Sequence, residues 1–550
     1  MRVTNSMIMN NSKSDINTTK LDVNSTSHKM QTQKKIQRPS EDPVIAIRSL
    51  RYATSLNHMD QYLTKNIEDA DSWLDLTETA LTNMYKSLET MHTLADQGAN
   101  GTNTSKDLNT ILTSLESLKE SIYAEGNADY AGRSIFTSYR TNCKLTFQND
   151  EMDTEYEITE PLNYTDMSIA RYYNGTVTLP QTKTEVDAIE TDAAAGKYDT
   201  NDDALFNRFR LSYKNENNGQ ASLKLNSLSI KYTTDTKGGQ TAGTEATINV
   251  TSYKNKEEWE AATGKKEIAN GEAVFIEETG EIVIADDLAD EITSGHAQIL
   301  TNYTKKGFSD GDIRPEYYFD CKINPGTQEE IEYTKFEKEV KLDSSGNPVL
   351  DGSGDPVYEI KRDSLGKPIK TEYDINYIIA NNQTITVNTE ASEVFNLSVG
   401  RDIDEMIDAV TWALECGDKV SKIESMMGEA QYADDVSQNN LKILLDAAKK
   451  EETYARDHLK KLYEEEIGKT DKYLSDANLA ITEVGNKGES LELTKTRVSS
   501  QMETIEELKS NNENEDLSSI MLDYSAAYVA YQAALTAASK IGEQSLLNYI

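Results

Sequence analysis

At 550 residues the chain is long enough for about three or four domains and a sizeable core, which excludes a small stapled scaffold. Its 94 Asp and Glu against 56 Lys and Arg leave a net charge of −38, a field that repels phosphates and anionic headgroups and so argues against nucleic acid as a partner. The three cysteines, Cys143, Cys321 and Cys416, are odd in number and far apart, which excludes a disulfide framework or a paired-cysteine metal site, and no stretch reaches the length of a membrane span.

Met1 to Ser12 holds no apolar run of the kind a secretory signal needs, and residues 1–37 carry only a thin seven-residue stripe, Met9, Ile16, Val23 and Met30, set among Asn, Ser, Thr and Lys. Such a stripe is too narrow to fold alone. Asp42 before Pro43 reads as an N-cap with proline at the first helical position, and Val44 to Gln97 contains neither Gly nor Pro. Four-three spacing picks out Leu63, Ile67, Ala70, Leu74, Thr77, Leu81, Met84, Leu88, Met91 and Ala95, a coiled-coil seam on a helix about 80 Å long. Gly98 to Gly101 breaks it, and Leu108, Ile111, Leu112, Leu115, Leu118 and Ile122 mark a second helix.

The middle, about residues 148–395, reads as β, with alternating runs at Ser222–Tyr232 and Thr247–Tyr253 and most of the chain's prolines. Ala273 to Ile276, a turn at Glu278-Thr279-Gly280, and Ile282 to Ile284 form an expected hairpin. Three short repeats, Asp343–Val349, Asp351–Val357 and Asp363–Ile369, each place turn residues ahead of a β-branched one. They lack the acid spacing and closing Glu of an EF-hand, so turns are expected rather than calcium loops. No proline follows Pro368, and helical stripes return with Ile403, Met406, Ile407, Val410 and Leu414, then Leu491, Val498, Met502, Ile505 and Leu508.

The last segment repeats the four-three spacing at Leu517, Met521, Tyr524, Tyr528, Tyr531, Leu535 and Ala538, with alanines on other faces and Ile541, Leu546 and Leu547 near the end. A helix apolar on several faces demands burial all round. Residues 1–51 carry nine basic against four acidic side chains, and residues 516–550 one against three, so the two ends are mildly complementary. Pairing them would still leave apolar surface for neighbouring chains to cover.

The expected fold class is therefore α+β: a long α-helical coiled-coil bundle formed by both chain ends, with a β-rich insert projecting from it. Residues 1–37 and 516–550 would be assembly-dependent terminal helices, 38–147 and 396–515 the bundle core, and 148–395 an insert of one or two subdomains.

Chemistry is not indicated. His28, His58, His92, His296 and His458 fall in no zinc-protease spacing, and there is neither a nucleophile elbow nor a phosphate loop. Glu464-Glu465-Glu466 reads as a solvated helix face. No catalytic, cofactor or metal residue is assigned, and the expectation is a protein that is not an enzyme.

Asn5 and the run Arg38-Pro39-Ser40-Glu41-Asp42-Pro43 resemble the amino-terminal signature of flagellar hook-filament junction proteins (the hook-associated protein 3 family) in the flagellin superfamily. Filament flagellins usually continue past the Asp with Asp, Ala, Ala and Gly, where Pro43 and Val44 stand here. Asn127-Ala128-Asp129-Tyr130-Ala131-Gly132-Arg133-Ser134-Ile135-Phe136 is similar to the family's segment leading out of its helical core, and Tyr531-Gln532-Ala533-Ala534-Leu535 with Ser545 to Ile550 is similar to its closing helix. Thr32, Gln33 and Lys34 depart from a common Ser-Gly pair.

The resemblance implies a structural adaptor, exported unfolded through the flagellar type III apparatus with a chaperone on the closing helix. It would polymerise through its coiled-coil termini and join the first hook-associated protein to flagellin outside the cell. The assembly interface would comprise Met9, Ile16, Val23, Met30, Leu517, Met521, Tyr524, Tyr528, Tyr531, Leu535, Ile541, Leu546 and Leu547, with Arg38, Pro39, Ser40, Asp42 and Pro43 as the family's bend. The alternatives are a filament flagellin, a secreted adhesin or enzyme on a flagellin-like frame, or a cytosolic coiled-coil scaffold.

Overall fold

The computed structural model describes residues 5–173, 175–198, 204–215, 221–232, 245–263, 268–342, 347–350, 354–362, 368–371 and 373–543. The fold is α+β, with long helices at both ends of the chain and strands between them. Its major helices are α1 (Asn5–Thr32), α2 (Pro43–Gln61), α3 (Glu68–Gly98), α4 (Ser105–Ile122), α5 (Leu397–Met427), α6 (Asp435–Glu513) and α7 (Leu517–Glu543). The chain divides into two compact units, one of residues 1–71, 376–385 and 487–550, the other of 72–375 and 386–486.

In the first unit α1 packs against α7. The long helix expected from residue 44 begins as read: Asp42 Oδ1 accepts from the backbone N–H of Val44 at 2.9 Å and Ile45 at 3.2 Å, and Pro43 fills the first turn. It is interrupted at Tyr62–Ile67 by a π-helical stretch. A hairpin that the sequence did not announce, Asn376–Ala380 with Gln383–Thr386, packs there, and Asn66 Nδ2 donates to the Ile378 carbonyl at 2.7 Å. An inserted residue in a helix re-aims one side chain, and here that side chain holds the returning strand.

In the second unit the apolar seam of α3 is buried from Leu74 to Ala95, and α4 buries Leu108, Ile111, Leu115, Leu118 and Ile122. Thr104 and Asp107 form a reciprocal capping box at the start of α4. Helices from before and after the strands come together, α4 lying on α5. Gly98 is needed where α3 ends, because a Cβ there would come within 2.0 Å of the Tyr463 ring on α6.

The described strands between residues 148 and 375 are β1 (Glu151–Leu162), β2 (Met167–Tyr172), β3 (Ala204–Arg210), β4 (Ser222–Tyr232), β5 (Glu245–Thr247), β6 (Asn249–Tyr253), β7 (Glu272–Ile276), β8 (Glu281–Ile284), β9 (Ala297–Phe308), β10 (Asp320–Ile323), β11 (Ile331–Tyr333), β12 (Lys338–Val340) and β13 (Tyr358–Ile360). They make a six-stranded sheet in the order β11-β10-β1-β9-β4-β5, a five-stranded sheet in the order β2-β3-β8-β7-β6, and a separate β12–β13 arm. The run read as one strand at Thr247–Tyr253 is divided between the two sheets: at Ile248, whose N–H still donates to the Leu228 carbonyl at 2.9 Å, the chain leaves one sheet for the other. The β7–β8 hairpin forms in the expected register, Phe275 opposite Ile282 and Val274 opposite Val283. Gly280 turns it with a φ of 68°, and a Cβ there would stand 2.4 Å from the Tyr213 carbonyl oxygen, so only glycine fits. Short helices at Lys183–Ala194, Lys256–Thr263 and Asp286–Thr293 break up the region read as all β.

The turn tips of the three repeats lie outside the described residues, but their flanks form bridges Leu342–Pro348, Leu350–Pro356 and Arg362–Pro368. Lys341, Val349 and Val357 bond N–H to C=O in a closed ring at 2.8–2.9 Å, and Glu337, Ile369 and Lys361 form a second ring at 2.8–3.0 Å. The β-branched residue closing each repeat, Val349, Val357 or Ile369, therefore supplies a corner of a small triangular prism.

Candidate assembly interface

The two places where the chain bends between its terminal and inner helices are stapled to one another. Gln33 takes a left-handed φ of 56° just after α1, and its carbonyl accepts from Glu515 N–H at 3.0 Å. Lys35 N–H donates to the Glu513 carbonyl at 2.7 Å, and Lys34 and Asn514 form a bridge. Side chains add Lys34 Nζ to Glu513 at 2.8 Å, Lys29 Nζ to Glu515 at 3.4 Å, Ser49 Oγ to Glu513, and Asn512 Nδ2 to the Ile45 carbonyl at 3.0 Å. Burial would raise the Glu513 carboxyl, but the Lys34 ammonium and the Ser49 hydroxyl hold it below its ordinary value. Arg38, Pro39 and Ser40 form the turn itself, where Glu41 N–H donates to the Arg38 carbonyl at 3.0 Å and the Glu41 carboxylate accepts from Gln37 N–H at 2.8 Å. Asp42 and Pro43 then start α2.

Beyond the staple, α1 and α7 run side by side in opposite directions. A half-buried line on α1 runs through Ser12, Ile16, Thr19, Val23, Thr26 and Met30 in strict four-three spacing, so three of the four apolar residues of the thin stripe, Ile16, Val23 and Met30, sit on the paired face. Thr19 and Thr26 satisfy their hydroxyls within the helix, on Asp15 O at 3.0 Å and Asp22 O at 2.8 Å, which suits them to a half-apolar seam. Met9 is exposed.

On α7 the paired face is Ile520, Tyr524, Ala527, Tyr531, Ala534, Ala538 and Ile541. Sequence reasoning missed Ile520, which is fully buried, because it followed the bulkier of two equally periodic lines. The alanine line is the one that lets two helix backbones approach. Of the other expected residues, Tyr524, Tyr531 and Ile541 lie on the paired face, while Leu517, Met521, Tyr528 and Leu535 point away and are exposed. Leu546 and Leu547 lie outside the described residues. Leu522, 72% exposed, and Val529, 63% exposed, extend the outward line. From Leu517 to Leu535 this apolar face is about 27 Å long at 1.5 Å per residue.

A second feature corrects the sequence reading. Glu466, expected on a solvated face, is fully buried, in a cluster that joins β3 and β8 to α5 and α6. Arg208 pairs with Glu281 and Glu405, Arg210 pairs with Asp402 and, at 2.8 Å, with Glu405, and Lys469 Nζ lies 3.2 Å from Asp402 and 2.6 Å from Glu466. Tyr172 and Tyr473 donate to Glu281 at 2.8 Å and Asp402 at 2.7 Å. Asp402, Glu405 and Glu466 bring carboxylate oxygens within 4.8 Å of one another, a spacing a metal ion could use. The Lys469 ammonium already lies between two of them, so the donor set fits an internal ion-pair cluster better than a metal centre.

Burial raises the Glu466 carboxyl, the Asp402 charge adds to it, and the group is pushed up to about 7. Its Oε2 has no hydrogen-bond partner among the described residues. Burial likewise pushes Glu160 up to about 7, although Tyr303 and Ser212 donate to it. Each carboxyl is ionised in the unfolded chain above its ordinary value of 4.5 but held neutral in the fold up to about 7. The folded state thus binds extra protons in that window, and stability falls as pH rises through it. Glu466→Gln is expected to remove roughly half of that slope, gaining about 1–3 kcal/mol over the parent at pH 8 and almost nothing at pH 4.5, as urea midpoints at the two pH values will measure.

Residues 3–141 match the bacterial flagellin N-terminal helical region. No curated protein sequence matches the chain. Among solved structures, a putative flagellar hook-associated protein from Vibrio parahaemolyticus is 12% identical over 86% of this chain and 100% of that one, with a TM-score of 0.33. Hook-associated protein-3 from Legionella pneumophila is 8% identical over 84% and 97%, TM-score 0.29, and FlgL of Xanthomonas campestris is 10% identical over 82% and 99%, TM-score 0.24. Among the described residues, no helix is long and apolar enough to cross a membrane.

Proposed function

We propose, starting from the flagellin-type N-terminal helical region carried by residues 3–141, that this chain is a structural adaptor of the bacterial flagellum, set between the hook-associated ring and the flagellin filament. The observation that carries the reading is the pair α1–α7: its seam is half polar, and the outward face of α7 keeps Leu517, Met521, Leu522, Tyr528, Val529 and Leu535 in water. A monomer has no use for such a line, whereas copies of the chain packed side by side bury it.

In this reading residues 1–37 and 516–550 form the polymerising module, 38–147 and 396–515 the inner bundle, and 148–395 the outer insert. The stapled bends transmit the position of the terminal pair to α2. Pro43 and Val44, where filament flagellins usually continue with other residues, favour the junction protein over the filament subunit. The partners are further copies of the chain, the first hook-associated protein, flagellin, and an export chaperone that masks the closing helix during type III export. The protein works outside the cell and by packing, without a catalytic step.

A deletion strain complemented with full-length protein, or with protein ending before Leu517, tests this. Hooks without filaments, flagellin lost to the medium, and rescue by the full chain alone are the expected results. Normal filaments in the deletion strain refute the adaptor role. Long filaments grown from purified protein without a hook template would favour the flagellin alternative.

A further inference from the structure

One face of the six-stranded sheet is spent on the core, where Tyr156, Ile158, Ile299 and Tyr303 are buried. Alternation along the strands sends Thr159, Ser229, Gln298, Leu300 and Asn302 to the opposite face, paired across β1, β9 and β4 as Asn302 with Thr159 and Leu300 with Ser229. There they floor a cleft of about 420 Å³ that the β12–β13 arm borders. A polar sheet face is stable in water and needs no cover, yet the arm is fastened at its rim by Lys231–Glu359 at 2.5 Å, Lys338–Asp320 at 3.2 Å and Lys341–Glu245. The volume falls within the range of small-molecule sites.

The chemistry of the walls selects the ligand. Ammonium groups only donate hydrogen bonds and carboxylates only accept them, and the walls present both, several as ion pairs. An anion entering meets Glu157, Glu332 and the paired carboxylates, and a cation meets the lysines. A hydroxyl group, which donates and accepts at one atom, matches either neighbour. The floor has the same two-sided character: Asn302 Nδ2 donates to Thr159 Oγ1 at 3.2 Å while its Oδ1 accepts from Asn226 at 2.8 Å. Tyr333 and Tyr358 add aromatic surface, and Tyr358 is 58% exposed in an otherwise polar setting, a platform for the apolar face of a sugar ring.

We propose that this cleft binds a short neutral oligosaccharide, giving the insert a glycan-recognition role separate from assembly. The test uses the full chain and a panel of neutral probes, maltotriose, N,N′,N″-triacetylchitotriose and lacto-N-tetraose, followed by saturation-transfer NMR and titration. Saturable binding of at least one is expected. Ser229→Phe, which fills the floor with a residue suited to a strand, should weaken it about tenfold or more, with the far-UV circular dichroism and the filament complementation unchanged. Tyr358→Ala should weaken it without altering the fold, since the ring is exposed. Absence of saturable binding across the panel overturns the proposal. So does binding that Ser229→Phe leaves intact, or inorganic phosphate competing as well as the sugars do. Loss of filament growth in a deletion strain bears on the adaptor role alone, so the two readings fail separately.

Discussion

Leu522→Asp combined with Val529→Asp is expected to leave the purified chain folded and to abolish filament growth in a complemented deletion strain. Both side chains are exposed on α7, one turn-pair apart on the outward line, and neither belongs to the seam with α1. Val and Asp have similar helix propensities, and only the Leu change costs a few tenths of a kcal/mol, so the stability of the monomer should move by less than about 1 kcal/mol. In an assembled array each Asp would have to leave water against apolar neighbours, at several kcal/mol per copy, and a ring multiplies that cost by its number of subunits. Far-UV circular dichroism and urea midpoints establish that the monomer is intact, and motility with flagellin in the medium reports assembly. Wild-type motility in the double variant would mean that the outward face is not a packing surface. Tyr531→Ala, on the paired face, supplies the opposite pattern, with a lower helical stability in the monomer itself.

What could be read from the residues divides by interaction range. The buried stripes of α3 and α4 were legible because their periodicity is local and each residue's burial follows from its neighbours three and four positions away. Asp42 with Pro43, and the glycine turn at Gly280, were legible for the same reason: a cap and a tight turn are decided within four residues. The heptad phase of α7 was not, since two lines of equal period compete and the choice depends on how closely α1 can approach. The split of Thr247–Tyr253 between two sheets was hidden because alternation is identical on either side of Ile248. The burial of Glu466 was least legible of all. Three consecutive glutamates on a helix read as a solvated face; the Lys469 partner of Glu466 stands three residues on in the same helix, but Asp402 beside it, with the Arg210 that balances it, comes from distant parts of the chain.

That cluster gives the second large effect. Asp402 is fully buried, its Oδ1 shared by Arg210 and Lys469 and its Oδ2 accepting from Tyr473. Asp402→Ala removes one carboxylate and leaves two cations and a phenol short of an acceptor around a fully buried position, which should cost about 3–5 kcal/mol. The loss should itself depend on pH. In the parent, the Asp402 charge helps keep Glu466 neutral, so the parent loses stability between about pH 4.5 and 7 as the unfolded chain releases a proton that the fold retains. Without Asp402, Glu466 can ionise in place and pair with Lys469, so the variant loses little over the same window. The gap between parent and variant should therefore be widest near pH 5 and narrower by about 1–2 kcal/mol at pH 8. Repeating the substitution in a Glu466→Gln background should flatten that dependence, because the neighbouring carboxyl that takes over the missing charge has been removed. A gap of constant size at both pH values in the parent background would mean that Asp402 and Glu466 do not share the Lys469 ammonium, and that the cluster is a set of independent pairs.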